Sequence, residues 1–386
     1  MMYNIGVITT TRADYGLLSP LIKRIYESNQ MELELIVSGT HLMEEFGYTK
    51  NEIEEDGFPI AVEIDWEKQG DSSYDVSCSM GTILNKFAEY VSKTSLDMVV
   101  ILGDRFEMVA FASVLVNAKI PIAHINGGET TEGALDECYR HCLSKMSNLH
   151  FPNNDLHRNR IIQMGENPDS VINVGDLCVE NILNTRFWNR KELEKYLDFS
   201  FDKKSNIIVT YHPVTKENNS IEQFEELLSA INKNPQFTYV FTKSNADEGG
   251  SIINERMEQF ALEKKNVKVV SSLGMVRFLS LLKCSCMMLG NSSSGLYDAP
   301  ILKIPTVNIG NRQQGRVSSD TVINCEPIEA EISCCMKRAI SGEFQEAIIK
   351  TKCMFGEGNT SKQIVFYIER FLNHRTVHKT FYDLME

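Results

Sequence analysis

The chain lacks a basic surplus, a long apolar run and any paired metal-binding cysteine motif, and each absence removes a class of function. Its 386 residues carry 39 Lys and Arg against 52 Asp and Glu, a formal net charge of −13. That balance argues against a nucleic-acid or anionic-membrane binder whose affinity rests on net positive charge. An anionic ligand would need locally placed arginines and helix ends instead. No apolar stretch approaches the roughly 18 residues of a membrane-spanning helix. The opening MMYNIGVITT reads as a strand, without the basic and then apolar regions of a secretory leader. A soluble, cytoplasmic protein with no membrane and no nucleic-acid partner is the expectation. The ten cysteines, among them Cys138/Cys142, Cys284/Cys286 and Cys334/Cys335, show no pair of CxxC motifs and no His/Cys knuckle, so they read as small apolar packing residues. No metal and no cofactor is expected. GxxxxGK followed by Ser or Thr, GxGxxG after the first strand, GxSxG and HExxH are also missing. A P-loop NTPase, a dehydrogenase and a serine hydrolase lose ground accordingly.

What is present is an apolar content of 42% over a length too great for one typical core, which points to two domains. Apolar runs predict strands at 3–9, 33–38, 59–64, 98–102, 120–125, 149–151 and 171–174, with helical periodicity between them from 17 to 26, 75 to 91 and 106 to 116. The alternation lapses into a charged helical stretch, 188–197, and then restarts: strands at 207–211, 238–242, 267–271, 287–289 and 307–309, with helices at 221–231, 251–262 and 275–282. This is the pattern of α/β architecture, two doubly wound parallel-sheet domains facing a cleft. The boundaries are set at 1–190, 191–365 and a tail, 366–386; the final amphipathic helix, 361–372, and this tail cross back to brace the first domain.

The stretch HINGGETTEGALDECYRHCLSK, from His124 to Lys145, holds most of the chemistry. A strand empties there into a glycine-containing acidic loop and then a helix, the place where open α/β sheets present ligands. Glu129, Glu132, Asp136 and Glu137 crowd this loop and helix start, and crowded carboxylates raise one another's pKa, which supplies proton-transfer groups near neutrality. Arg140 and His141 stand one turn on and can pair with Asp136 and Glu137 at i,i+4. Asp104, in GDRFE, ends a neighbouring strand; the plainer reading makes it the N-cap of the next helix. In the second half, GNSSSG (290–295) follows a strand and places Ser292 and Ser293 at a cap and first turn, where free N–H groups and the dipole favour a phosphate. An ordinary serine cap is the alternative. Arg312 and Arg316, in GNRQQGR, have the forked geometry for pyrophosphate, unless they are solvated surface charges. Arg12 on the first loop would close on the same anion. His212, before Pro213, is fixed at a strand end.

Together TTRADYG (10–16), GDRFE (103–107), HINGGETTEGALDE (124–137), HPVT (212–215), GNSSSG (290–295) and GNRQQGR (310–316) resemble, in order and over most of the chain, the hydrolysing UDP-N-acetylglucosamine 2-epimerases of sialic-acid-type sugar biosynthesis. The resemblance implies two Rossmann-like halves of the GT-B kind and a homo-oligomer, dimer or tetramer. It also implies a reaction in which the nucleotide leaves with the C2 proton and the glycal is hydrated to a free, C2-inverted sugar. It marks Asp104, Asp136 and His212 as catalytic or substrate-positioning groups and Ser292 and Ser293 as the diphosphate pair. Asp298 falls where the family offers a glutamate to the ribose, and Phe278 lies near the segment that cradles uracil. Arg12, Arg312 and Arg316 fall in its ligand-facing loops. One departure stands out: Asn126 occupies a position that is glutamate in non-hydrolysing relatives and often histidine in hydrolysing ones. An amide cannot act as a base, which passes proton transfer to Asp104, Glu129, Glu132 or Asp136. Asn126 with TTEGA is more like relatives that act on UDP- or GDP-linked N,N′-diacetylbacillosamine, so UDP-GlcNAc and that sugar both stand as substrates. The other readings are a non-hydrolysing epimerase, a GT-B glycosyltransferase and a silent sugar-nucleotide sensor.

Overall fold

The computed structural model describes residues 2–44, 47–66, 72–131, 135–213, 219–244, 250–271, 273–314, 316–351, 353–374 and 379–384. The chain divides into two compact units, Met1–Leu183 with Met354–Glu386, and Asn184–Cys353.

The first unit is built on a six-stranded parallel sheet of β1 (Tyr3–Thr9), β2 (Met31–Ser38), β3 (Ile60–Ile64), β4 (Met98–Leu102), β5 (Ile122–Ile125) and β6 (Leu149–Phe151), in the order β3-β2-β1-β4-β5-β6. β4 is buried at every residue, as expected of a central strand covered on both faces. Alternate side chains divide between two layers: Met98 and Val100 pack with Ile5, Val7 and Leu21, whereas Val99 and Ile101 pack with Ile8, Ile36 and Phe111. The second unit repeats the plan with β7 (Asn206–Thr210), β8 (Thr238–Thr242), β9 (Val267–Val270), β10 (Met287–Gly290), β11 (Thr306–Ile309) and β12 (Val322–Cys325), in the order β12-β11-β10-β7-β8-β9. In both sheets the order reverses between the first and fourth strand of the unit. That switch point leaves a crevice beyond the strand ends, where such folds bind ligands. It falls at β1 and β4 in one unit and at β7 and β10 in the other.

The final helix, Thr360–Asn373, belongs to the first unit and packs on the helix Arg12–Tyr26. Ile364, Ile368 and Leu372, spaced at one helical turn, bury with Leu18, Leu21 and Ile22. Its first turn is held by Glu180, which accepts from Ser361 N (2.7 Å) and Ser361 Oγ (2.6 Å).

Two local expectations are corrected. Residues 171–174 form no strand; Val171 makes a single bridge to His150, and Pro152 lacks the N–H that would extend the ladder. The first helix begins at Arg12 instead of near 17, because the Thr11 side chain accepts from Asp14 N and caps it there.

Candidate active site

Around the switch point of the first unit, Gly103 and Asp104 leave β4 while Asn126, Gly127 and Gly128 leave β5. Asp104 is not the cap of the following helix, Phe106–Ala118; Arg105 takes that position with no side-chain cap bond. Asp104 instead receives Arg140, a guanidinium only 4% exposed. Arg140 also donates to Glu129 O (2.9 Å), Thr131 Oγ1 (2.9 Å) and Glu137 Oε2 (3.3 Å). It therefore pairs with Glu137 at i,i+3 and with Asp104 across the loop, and the expected i,i+4 partnership is made by His141 with Glu137 at 3.0 Å. The second glycine of the pair is required by packing: at Gly128, φ +79°, a Cβ would meet His157 O at 2.4 Å.

Electrostatically the cluster differs from a crowd of acids. Burial pushes the Glu137 carboxyl up, but the Thr131 amide, His141 and Arg140 outweigh it and leave the group below its ordinary range. A buried carboxylate, Glu107, holds Arg105 at 2.9 Å, and Arg105 also feels Asp14 and Asp136. Cations are thus interleaved with the acids. Arg105 carries a positive charge toward Asp136, which stands exposed at the start of the helix Asp136–Met146. Asn126 adopts a left-handed backbone, φ +61°, and its Oδ1 is buried without a donor. That is an unmade hydrogen bond at the strand end. Glu132 lies outside the described residues. Arg12 is exposed and pairs with Glu52 at 2.9 Å.

In the second unit the switch point is organised by Asn291, fully buried after β10. Its Oδ1 accepts from His212 N (2.8 Å) and its Nδ2 donates to His212 O (2.8 Å), fixing the histidine backbone at both polar groups. The Asn291 carbonyl accepts from Arg312 Nη1 (3.2 Å) and Gln313 Nε2 (2.7 Å). His212 Nδ1 lies 3.2 Å from Ser244 Oγ. Gly290 permits the close approach of β10 to β7: a Cβ there would stand 2.0 Å from Thr210 O. Ser292 then caps a three-residue 3-10 turn, Ser293–Gly295, by accepting from Ser294 N at 3.3 Å. The expected cap and first helical turn are therefore a 3-10 turn followed by the four-residue helix Asp298–Ile301. The Ser292 and Ser293 hydroxyls, more than a helix dipole, are what this turn offers an anion, since the N–H groups of Ser294, Gly295 and Leu296 are bonded within it. Burial raises the Asp298 carboxyl, opposed by a hydrogen bond from Ser294. Phe278 packs against the apolar cluster of Leu273, Leu281 and Met288. Arg316 lines a cavity of about 1270 Å³ with Gln223, Asn308 and Gln313.

The structure thus brings Asp104, Glu129, Glu137, Arg140 and His141 together in one unit, and His212 and Arg312 through Asn291 in the other. Arg105 and Asn291 escaped the sequence reading. Each lies inside a recognised motif; Arg105 pairs within its own motif, with Glu107, whereas the backbone that Asn291 grips was invisible without the fold.

The chain matches the sequence model of the UDP-N-acetylglucosamine 2-epimerase family over residues 23–369. It belongs to that family. It is 36% identical over 383 residues to the GDP/UDP-N,N′-diacetylbacillosamine 2-epimerase (hydrolyzing) of Campylobacter jejuni, covering 98% of this chain and 99% of that protein. To the UDP-N,N′-diacetylbacillosamine 2-epimerase (hydrolyzing) of Legionella pneumophila it is 33% identical, covering 94% of each. The crystal structure of UDP-GlcNAc 2-epimerase from Neisseria meningitidis bound to UDP-GlcNAc superposes with a TM-score of 0.80 at 18% identity, over 95% of this chain and 100% of that one. That likeness shows the fold: this family member has two Rossmann-like domains of the GT-B kind. Among the described residues no helix is long and apolar enough to cross a membrane.

Proposed function

We propose that the protein is a hydrolysing nucleotide-sugar 2-epimerase whose substrate is N,N′-diacetylbacillosamine linked to UDP or GDP. The observation that carries this reading is the full-length likeness to two relatives named for that reaction. UDP-GlcNAc is the second substrate to test, supported by the name of the Neisseria protein.

The reaction removes the C2 proton, breaks the C1–O bond to release the nucleoside diphosphate, and leaves a 2-acetamidoglycal. Water then adds hydroxyl at C1 and hydrogen at C2 from the opposite face, giving the free, inverted sugar. The proton work falls to the acids of the first unit, Asp104, Asp136, Glu129 and Glu132. The fixed Arg140 holds Asp104 in place, so that it can take or return a proton at a set position, and Asp136 stands exposed at the helix start for the same work. Asn126 cannot act as a base; its unpartnered Oδ1 accepts a substrate N–H or hydroxyl. His141 completes the hold on Glu137. In the second unit Ser292 and Ser293, with Arg312 and Arg316, take the diphosphate, where negative charge develops as the bond breaks. His212 contacts the same group. Asp298 takes the ribose, Phe278 lies beside the base, and Arg12 is a ligand-binding cation of the first unit.

The test is to incubate the protein with each nucleotide sugar and no acceptor. Equimolar free nucleoside diphosphate and reducing sugar support the reading. A mixture of two nucleotide-linked sugars would make it a non-hydrolysing epimerase, and transfer that depends on an added acceptor would make it a glycosyltransferase.

A further inference from the structure

The helix Asp136–Met146 presents Glu137, Arg140 and His141, and its opposite end is held by residues from far along the chain. The last carbonyls of a helix have no partners within it, and a cation placed there is favoured. Here the cation is Lys379. Its Nζ donates to Lys145 O and Ser147 O, each at 2.6 Å, and to Ser144 O at 3.5 Å. The same ammonium lies 2.7 Å from Glu166, a carboxylate that is only 2% exposed. Glu166 also receives Lys145 at 2.5 Å and His150 at 3.1 Å. Burial pushes the Glu166 carboxyl up, and hydrogen bonds from His150, Lys145 and Lys379 overcome it and hold the group at about 2.

The neighbouring tail residues add shape to this charge. Tyr382 N donates to Gly165 O at 2.9 Å, and the Phe381 ring lies directly on Gly165, where a Cβ would stand 2.3 Å from it. Lys145 Nζ sits 5.0 Å from the centroid of the same ring. Inside the helix, Ser144 Oγ donates to Arg140 O at 3.0 Å and lies 3.3 Å from His124 Nδ1. His124 Nε2 is in turn 2.7 Å from Gly103 O, the residue before Asp104. The held end is therefore tied by short contacts to Arg140 and to Gly103, the residue that precedes Asp104.

We propose that residues 379–382 are a strap that fixes the helix Asp136–Met146 along its axis, and that Lys379 is a positioning residue for Arg140 and Asp104. The consequence for turnover rests on the function proposed above, because proton transfer to carbon falls steeply when a group is displaced by about 1 Å. Lys379→Met retains the stem and removes the ammonium, Lys379→Arg restores a cation, and Phe381→Ala removes the ring. The experiment reads kcat and KM on the nucleotide sugar together with amide hydrogen exchange. Lys379→Met should lower kcat about tenfold with KM within about twofold of wild type. Exchange should quicken in residues 143–147 and not in the helix Phe106–Ala118, and Lys379→Arg should recover most of kcat. Unchanged kcat with unchanged exchange in Lys379→Met overturns the strap. Exchange that rises equally in both helices also overturns it, since that is general loss of stability. If the wild type releases no sugar, the functional reading fails and the exchange pattern alone decides: acceleration confined to residues 143–147 upholds the strap, and any other pattern rejects it.

Discussion

Arg140 donates to the carboxylate of Asp104 across a sequence separation of 36 residues, and it does so while almost wholly buried. Four acceptors surround the guanidinium, so removing it strands two carboxylates and two loop oxygens at once. Arg140→Ala should destabilise the first unit by about 3 to 5 kcal/mol, the range for breaking a buried pair from one side. Urea unfolding followed by Trp66 fluorescence, in a Trp188→Phe background, checks it. Arg140→Lys keeps the charge without the fork and should recover less than half of that loss.

Removing the acids without removing their shape separates chemistry from folding. Asp104→Asn and Asp136→Asn should each lower turnover by about two to four orders of magnitude, the range for a lost acid–base group; Asp136→Asn should keep the wild-type unfolding midpoint, whereas Asp104→Asn should also lower it, because the buried Arg140 loses a carboxylate partner. Wild-type rates in both would strip these residues of their roles.

Asn291 sits at the corresponding place in the second unit. Asn291→Ala would remove the hydrogen bonds that the side chain makes to His212 N–H and C=O, at about 1 to 3 kcal/mol for each. Unfolding followed by Trp188 should show the loss, and KM for the nucleotide sugar should rise. Asn291→Asp keeps the acceptor and loses the donor, and it should fall between the two.

Acid should weaken the two units unequally. Burial draws His41 and His157 down to about 4 and His124 to about 3 from an ordinary 6.5, so each is neutral in the folded state. All three lie in the first unit. A depressed folded pKa means that the unfolded chain binds the extra proton. This stability is complete above about pH 6.5 and is lost as pH falls toward 4 and 3, at up to about 2 kcal/mol per histidine by pH 5. Between pH 7 and 5 the Trp66 transition should move to lower urea by more than the Trp188 transition. Equal movement of both would count against this.

Much of this was legible because parallel strands covered on both faces leave continuous apolar runs: β1, β4, β6 and β8 begin and end where the periodicity predicts. β12 was not legible, since an edge strand with one buried residue and Asn324 carries little apolar signal. Motifs at strand ends were visible, but their partners were not. Asp104 reads as a helix cap until Arg140 is seen to claim it. Among the acids of 129–137, the pairing of His141 with Glu137 is the i,i+4 contact that the spacing predicts, whereas the reach of Arg140 to Asp104 is not in the spacing. Asn291 looks like one more polar residue in a serine run, because the backbone it grips is 79 residues away. Ser292 and Ser293 promised a helix N-terminus and received a 3-10 turn, where Asp298 and Pro300 leave room for a single helical turn.

The central claim is that the C2 proton is removed and replaced while the nucleotide departs. Proton NMR of the products formed in D2O from UDP-linked N,N′-diacetylbacillosamine tests it most directly. The account expects free UDP together with a free sugar of inverted C2 configuration, carrying deuterium at that carbon. Protium retained at C2, or a sugar still attached to its nucleotide, would contradict it.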